Sequence, residues 1–328
     1  MNESDNDGKI RESFVKISGT GFVLDDKPYY IIGANYWQAM NLGMVIGNRS
    51  RVIQDLATLK ENGVNCVRIM AGSEGPSGEP QRMYPALMNS PGEYNEDVFE
   101  VINRRNTVNG IIYKDDSVIF SWELANEPQD IPKENGHEYM GKWIDSSAGY
   151  IKSLDENHLV TSGAEGKHGK EWFITMHRNF TSAHVWVENW GYYKSDDPSI
   201  ENFQRANSFM LDFLQNVSDW STSILHKPVL LGEYGMARDA WSGVSKYSPK
   251  ATTTNRDKYF TAITNKVLEL EKQHKFTGHM FWAYAGVAKP SDNYPQWIGD
   301  PPHEPPGWYS VYDTDKNTLK VFATHAKE

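Results

Sequence analysis

Two glutamates stand where apolar runs stop. Glu127 follows the run at 118–124 in SWELANEPQ, and Glu233 ends the run at 229–232 in LLGEYG. Positions 127 and 233 are 106 residues apart, which is about three strand–helix units of an α/β barrel. In such a barrel the C-terminal ends of the strands carry the active site, so the two carboxylates would face one another across its mouth. That pair can hydrolyse a glycosidic bond. One acid protonates the leaving oxygen, and the other attacks the anomeric carbon or activates water. Either glutamate alone could equally cap the helix that follows it. The pair, with the residues around it, favours catalysis.

Other strand-end residues fit the same chemistry. Arg68 closes the run at 64–70 (NCVRIM). A charge inside an apolar run is costly unless paired, and an arginine there would keep Glu233 ionised and oriented. A structural salt bridge is the alternative. His184 opens HVWVENW and could bond the nucleophile or a sugar hydroxyl, or be a satisfied core histidine. Trp282, in HMFWAY, would floor a sugar ring, and Trp37, Trp186 and Trp190 also follow strand ends. Indole faces stack on sugars, although each could be packing. Glu165, in SGAEG, reads as a hydroxyl ligand or a helix cap. Asp115, Asp116, Asp196 and Asp197 read as solvated loop charges. No metal-ligand set, Walker loop or dinucleotide fingerprint appears.

The elements that must position these residues alternate. Short apolar runs lie at 30–34, 64–70, 118–124, 158–162, 183–187, 229–232 and 278–282. Between them run helical stripes. One is Val52, Ile53, Leu56 and Leu59, closed by Gly63. A second is Met140, Trp143, Ile144, Ile151 and Leu154. A third is Phe209, Met210, Phe213, Leu214 and Val217, and a fourth is Phe260, Ile263, Val267 and Leu270. All four read as core faces. The alternation predicts a (β/α)8 barrel of parallel strands with right-handed crossovers. One unit is missing. Residues 71–117 hold no convincing third strand. Ile111–Tyr113 is too close to the next run, because a parallel crossover needs about ten residues or more. Seven strands are therefore expected, with the third absent.

Composition bounds the rest. The chain has 328 residues and a formal charge of −10, which argues against a nucleic-acid partner. No run is long enough to span a membrane. One cysteine, Cys66, excludes an internal disulfide. Residues 1–18 read as a flexible polar leader without the apolar segment of a signal peptide. Residues 19–328 read as one catalytic domain, with a deletion or gap at 100–101.

At this level the sequence resembles glycoside hydrolase family 5 and its β-mannanase branch. WELANEP with GEYG is that family's acid/base and nucleophile pattern. GTGFVLDDKPYYIIGANYW resembles the branch's opening strands, and NTVNGIIYKDDSVIFSWELANEP and GDPPHEPPGWYSVYD resemble bacterial mannanases. The likeness runs from about Gly19 onward. It implies Glu127 as acid/base and Glu233 as nucleophile, with Arg68, Asn126, His184 and Trp282 around them. It also implies retention of configuration and no cofactor or metal. Asn126 would hold the sugar's 2-hydroxyl. Two departures stand out. Trp186 occupies a position where many members have tyrosine. In relatives the equivalent of YNEDVFE leads into a helix, a third strand, a loop and a helix, whereas here Glu100 joins Val101 directly.

The expectation is a secreted or cell-surface, monomeric, retaining endo-β-1,4-mannanase acting on mannan, glucomannan or galactomannan. A related exo-β-mannosidase or β-1,4-glucanase is the first alternative. A catalytically impaired sugar-binding variant, given the missing strand, is the second. Glu127 is expected to have a raised pKa through burial and the charge of Glu233.

Overall fold

The computed structural model describes residues 13–43, 47–72, 88–90, 93–94, 100–129, 136–175, 179–288, 300, 304–305 and 307–328. Residues 1–12 of the expected leader lie outside them. The leader's boundary at residue 18 is corrected. β1 (Lys16–Ser18) pairs antiparallel with β2 (Gly21–Leu24), which pairs with β3 (Lys27–Tyr29). Val15 and Phe22 bury their side chains there, so folded structure begins before Gly19.

The seven apolar runs each overlap a strand. These are β4 (Ile31–Asn35), β5 (Cys66–Arg68), β8 (Ser121–Glu123), β9 (Leu159–Thr161), β10 (Thr181–Val185), β11 (Val229–Tyr234) and β12 (Gly278–Phe281). Two short pairs, β6 (Met88–Ser90) with β7 (Glu93–Tyr94) and β13 (Tyr284–Gly286) with β14 (Val311–Tyr312), lie outside that set. β10, β11, β12, β4 and β5 form one parallel sheet in that order, and β8 pairs parallel with β9. Asn179 joins β9 to the start of β10: its N–H donates to Val160 O at 3.2 Å, and its Oδ1 accepts from Val160 N at 2.8 Å. The strands therefore follow one another as in a (β/α)8 barrel. Among the described residues no strand pairs between β5 and β8, so the wall is not closed there. The chain itself continues through 100–101, in a 3-10 turn at Glu100–Asn103.

The helices are α1 (Ala39–Gly43), α2 (Arg49–Glu61), α3 (Gly136–Leu154), α4 (Lys170–Thr175), α5 (Ile200–Asp219), α6 (Thr254–Lys272) and α7 (Lys316–His325). The stripes of α5 and α6 enter the main core, where Met210, Phe213, Leu214, Phe260, Ile263 and Val267 are buried. The stripe assigned to α2 is half wrong. Leu59 is buried and Val52 packs on the core, but Ile53 is 71% exposed and Leu56 is 40% exposed. Periodicity finds the apolar face of a helix; it does not establish that a neighbour covers that face.

Candidate active site

β11 is buried along its whole length and carries Glu233 directly opposite His184 of β10. On the far side β8 ends at Glu123, and the chain turns through Asn126 to Glu127. Glu127 has φ +47°, a left-handed conformation rare for this residue, and its N–H donates to Gly163 O at 3.0 Å. Gly163 makes the approach possible. At φ +78°, a Cβ on it would lie 1.9 Å from Ala125 O.

Arg68, at the end of β5, gathers the acids. Nε donates to both oxygens of Glu123, at 3.0 and 3.2 Å, and Nη1 donates to Glu233 Oε1. Nη1 also donates to Asn35 Oδ1 at 2.9 Å, and Nη2 to Asn126 Oδ1 at 2.6 Å. Asn35 in turn donates to Gly232 O and Phe281 O, which ties β4 to its neighbour β12 and to β11 beyond it. His184 Nδ1 lies 2.7 Å from Glu127 Oε1 and 3.5 Å from Glu233 Oε2, and Trp186 Nε1 donates to Glu127 Oε1 at 3.1 Å. One ligand-type atom each of Glu127, His184 and Glu233 falls within a 4.8 Å circle. This trio is the only group of that kind among the described residues, and its members are already linked by hydrogen bonds.

The two carboxylates differ in environment. Glu233 is 3% exposed and Glu127 24%. Burial pushes Glu233 upward, against the opposing charges of His184 and Arg68. Burial also pushes Glu127 up, but the hydrogen bond and charge of His184 and the bond from Trp186 outweigh it, so its pKa is lowered. That corrects the expectation of a Glu127 raised by burial and by the charge of Glu233. His184 itself is raised: burial would lower it, but the two carboxylates beside it prevail.

The remaining expected residues lie around this centre. Trp37, Trp186 and Trp282 are buried in one cluster with Tyr309, with Met70, Trp190 and Trp308 packed on it. Trp190 also sets its ring edge-on to Phe209 and Phe213 of α5, so it serves the helix layer as well as the mouth. Asn126 is exposed, and its side-chain oxygen accepts from Arg68. Glu165 is buried, and its backbone oxygen accepts from His184 N at 2.8 Å. Gln129 Nε2 donates to its carboxyl at 3.3 Å. It caps no helix, because α4 begins at Lys170. Burial first, and then the charge of Glu127, raise its pKa to about 7.

Sequence reasoning missed Glu123, Asn35, Tyr309 and Asp300. Glu123 was within the quoted motif, but its partner Arg68 is 55 positions away. Tyr309 packs on Trp186 with ring centroids 4.9 Å apart and donates to Asn189 Oδ1. Asp300 accepts from Gly307 N, Tyr309 N and Ser310 Oγ.

A family model described as "GH family 5 beta-mannosidase-like" matches residues 12–101 and 93–328, in two pieces that overlap at 93–101. A solved glycoside hydrolase family 5 mannosidase from Rhizomucor miehei is 34% identical, with 97% of each chain covered and a TM-score of 0.85. The endo-1,4-beta-mannanase of the same organism is 20% identical, with 96% of this chain and 99% of that chain covered and a TM-score of 0.62, a likeness of fold. "Mannan endo-1,4-beta-mannosidase 5" of Arabidopsis thaliana is 25% identical, with 93% of this chain and 86% of the relative covered. That alignment runs over 396 positions against the 328 residues present here, so at least 68 of its positions have no counterpart in this chain.

Proposed function

The chain belongs to glycoside hydrolase family 5, in its beta-mannosidase-like group, and we propose that it is a retaining, endo-acting β-1,4-mannan hydrolase. Mannan, glucomannan and galactomannan are the candidate substrates. The observation that carries this reading is the closeness of Glu127 and Glu233 at facing strand ends, with oxygens within 4.8 Å. Retaining enzymes hold their carboxyl groups about 5–5.5 Å apart, and inverting ones leave a wider gap for water.

In this mechanism Arg68 and His184 hold Glu233 for attack on C1 through an oxocarbenium-like transition state. Glu127 protonates the leaving oxygen and then serves as base for the water that frees the glycosyl-enzyme. His184 and Trp186 hold Glu127 low, so it must gain a proton as substrate binds. A sugar laid over Trp186 and Trp282 would displace water from the more exposed carboxyl, and that strengthens the burial effect which raises it. Asn126, its oxygen fixed by Arg68, would donate to the 2-hydroxyl. Its substrate class supports secretion or display at the cell surface, and a monomer suffices for the site. Among the described residues no helix is long and apolar enough to cross a membrane.

A second reading is an exo-acting β-mannosidase. It is favoured by the greater likeness to the Rhizomucor mannosidase than to that organism's endo-mannanase. Product analysis on mannan, glucomannan and cellulose tests both. A ladder of manno-oligosaccharides supports endo action, and mannose alone supports exo action. Release from cellulose only would replace mannan by glucan, and no release from any would leave a sugar-binding protein.

A further inference from the structure

Arg68 uses every N–H of its guanidinium inside the protein. Nε and Nη2 donate to the Glu123 carboxylate, Nη1 donates to Glu233 Oε1 and Asn35 Oδ1, and Nη2 also donates to Asn126 Oδ1. Two anchors therefore fix the group. Asn35 is buried and pinned to Gly232 O and Phe281 O, so it holds the tip beside Glu233. Glu123 holds the opposite edge through both of its oxygens, which fixes the plane of the fork as well as its place. That edge carries the bond to Asn126. Among the described residues the Glu123 carboxylate accepts from Arg68 alone. It lies against Gly163, where an added Cβ would come within 2.7 Å of Oε1.

The pairing matters because of what the wall lacks. Among the described residues no strand joins β5 to β8, so no backbone ladder sets Arg68 of β5 against Asn126 beyond β8. The bond to Glu123 does so instead. It also divides a charge, since Arg68 lies between Glu123 and Glu233. Without Glu123 the guanidinium could turn about its Asn35 contact and carry Nη2 off Asn126, and its whole charge would bear on Glu233. We propose that Glu123 is a positioning residue of the reaction: by holding Arg68 it sets Asn126 against the attacked sugar and tempers the cation beside Glu233. The inference rests on the glycosidase reading above, in which Asn126 meets the 2-hydroxyl and Glu233 attacks. The charged groups that face Glu233 are His184, Arg68 and Glu127, and of these Arg68 is the one that Glu123 also holds. Removing the charge of Glu123 therefore strengthens the pull by which Arg68 lowers the Glu233 carboxyl. A carboxylate lowered in this way is a weaker nucleophile.

The test compares Glu123→Gln and Glu123→Asp with the wild type on 2,4-dinitrophenyl β-mannosides of one or more sugar units, and on the same compounds without the 2-hydroxyl of the attacked sugar. These substrates leave without much protonation, so the acidic limb of kcat/KM reports the ionisation of Glu233. Glu123→Gln should lower kcat/KM on the parent compound by about tenfold or more, and the loss should be about threefold smaller on the 2-deoxy compound, which gives Asn126 nothing to hold. Its acidic limb should move to lower pH by about half a unit. Glu123→Asp keeps the charge on a shorter arm. It should leave the limb in place and still lose less on the 2-deoxy compound. The proposal is overturned if Glu123→Gln stays within about twofold of the wild type, if it loses equally on the two compounds, or if its limb does not move. If thermal unfolding shows that Glu123→Gln does not fold, Glu123→Asp decides: an equal loss on the two compounds overturns the proposal, and a smaller loss on the 2-deoxy compound supports it. A wild type inert toward all dinitrophenyl glycosides and all polysaccharides overturns the glycosidase reading, and this proposal with it.

Discussion

Arg68 and Glu123 meet across the seam between β5 and β8, where no strand among the described residues joins the two. The guanidinium takes both oxygens of Glu123 and also donates to Glu233. One cation thus ties two wall strands together and holds Glu233, the proposed nucleophile. Arg68→Ala would leave two largely buried carboxylates without their counter-charge. We expect it to cost about 3 kcal/mol or more of stability and to lower kcat by about a hundredfold or more. Lysine would restore charge but not the fork of donors, so Arg68→Lys should recover stability better than activity. Thermal unfolding and steady-state kinetics check both, and full activity in Arg68→Lys would contradict the orienting role.

The two glutamates proposed as catalytic should fail differently. Glu233→Ala should lose turnover by about four orders of magnitude or more and be rescued by azide, giving a glycosyl azide of inverted configuration. Glu127→Ala should be severe on mannan yet mild in the first step with dinitrophenyl mannosides, which leave without much protonation. Equal losses on both substrate types would remove Glu127 from the acid role.

Seven strands and both glutamates were legible because they obey local rules. β4, β11 and β12 are buried throughout, so each reads as a largely apolar run, and the carboxylates mark where the apolar pattern stops. What was not legible is long-range. Glu123 gains its meaning only from Arg68. The state of Glu127 was misjudged because burial was weighed without the bonds from His184 and Trp186.

Glu165 should leave a mark on stability. Its carboxyl rises from the ordinary range near 4.5 to about 7 on folding. Between those values the native state holds a proton that the unfolded state has lost, so stability falls as pH rises. The contribution is about 1–3 kcal/mol. Glu165→Gln should flatten the decline in unfolding temperature between pH 5 and 7.5 and exceed the wild type at the upper end. An unchanged slope would mean that the proton is held elsewhere.

Gly163 carries a geometric demand that can be tested with one methyl. A Cβ there would meet Ala125 O at 1.9 Å and Glu123 Oε1 at 2.7 Å, at a φ of +78°. Gly163→Ala should push the turn after β8 outward, move Glu127 off His184 and cost about 2 kcal/mol or more. Kinetics should worsen more on mannan than on dinitrophenyl mannosides, since the displaced group is the proposed acid. A variant equal to the wild type in both would show that the turn yields easily.

The seam gives the last prediction. Ile53 and Leu56 on α2, Ile69 just beyond β5 and Val118 just before β8 are 71%, 40%, 44% and 71% exposed. α2 leads into β5, so these apolar side chains belong to the two elements that border the unpaired edges. An amphipathic face and two strand edges without partners are what removal of one strand–helix unit from a barrel would leave. The relatives' additional positions and the overlap of the family match at 93–101 fall in with this. Replacing Ile53 and Leu56 by glutamate and lysine should then cost less than about 1 kcal/mol, where the same change in a buried stripe costs several. Inserting between Glu100 and Val101 a strand–helix unit designed to pair with β5 and β8 should raise the unfolding temperature. It should also raise kcat/KM, because a closed wall holds Arg68 and Glu123 rigidly. If the double substitution is strongly destabilising, or the insertion lowers both stability and activity, then α2 and the seam are already covered, and the chain closes its barrel with seven strands.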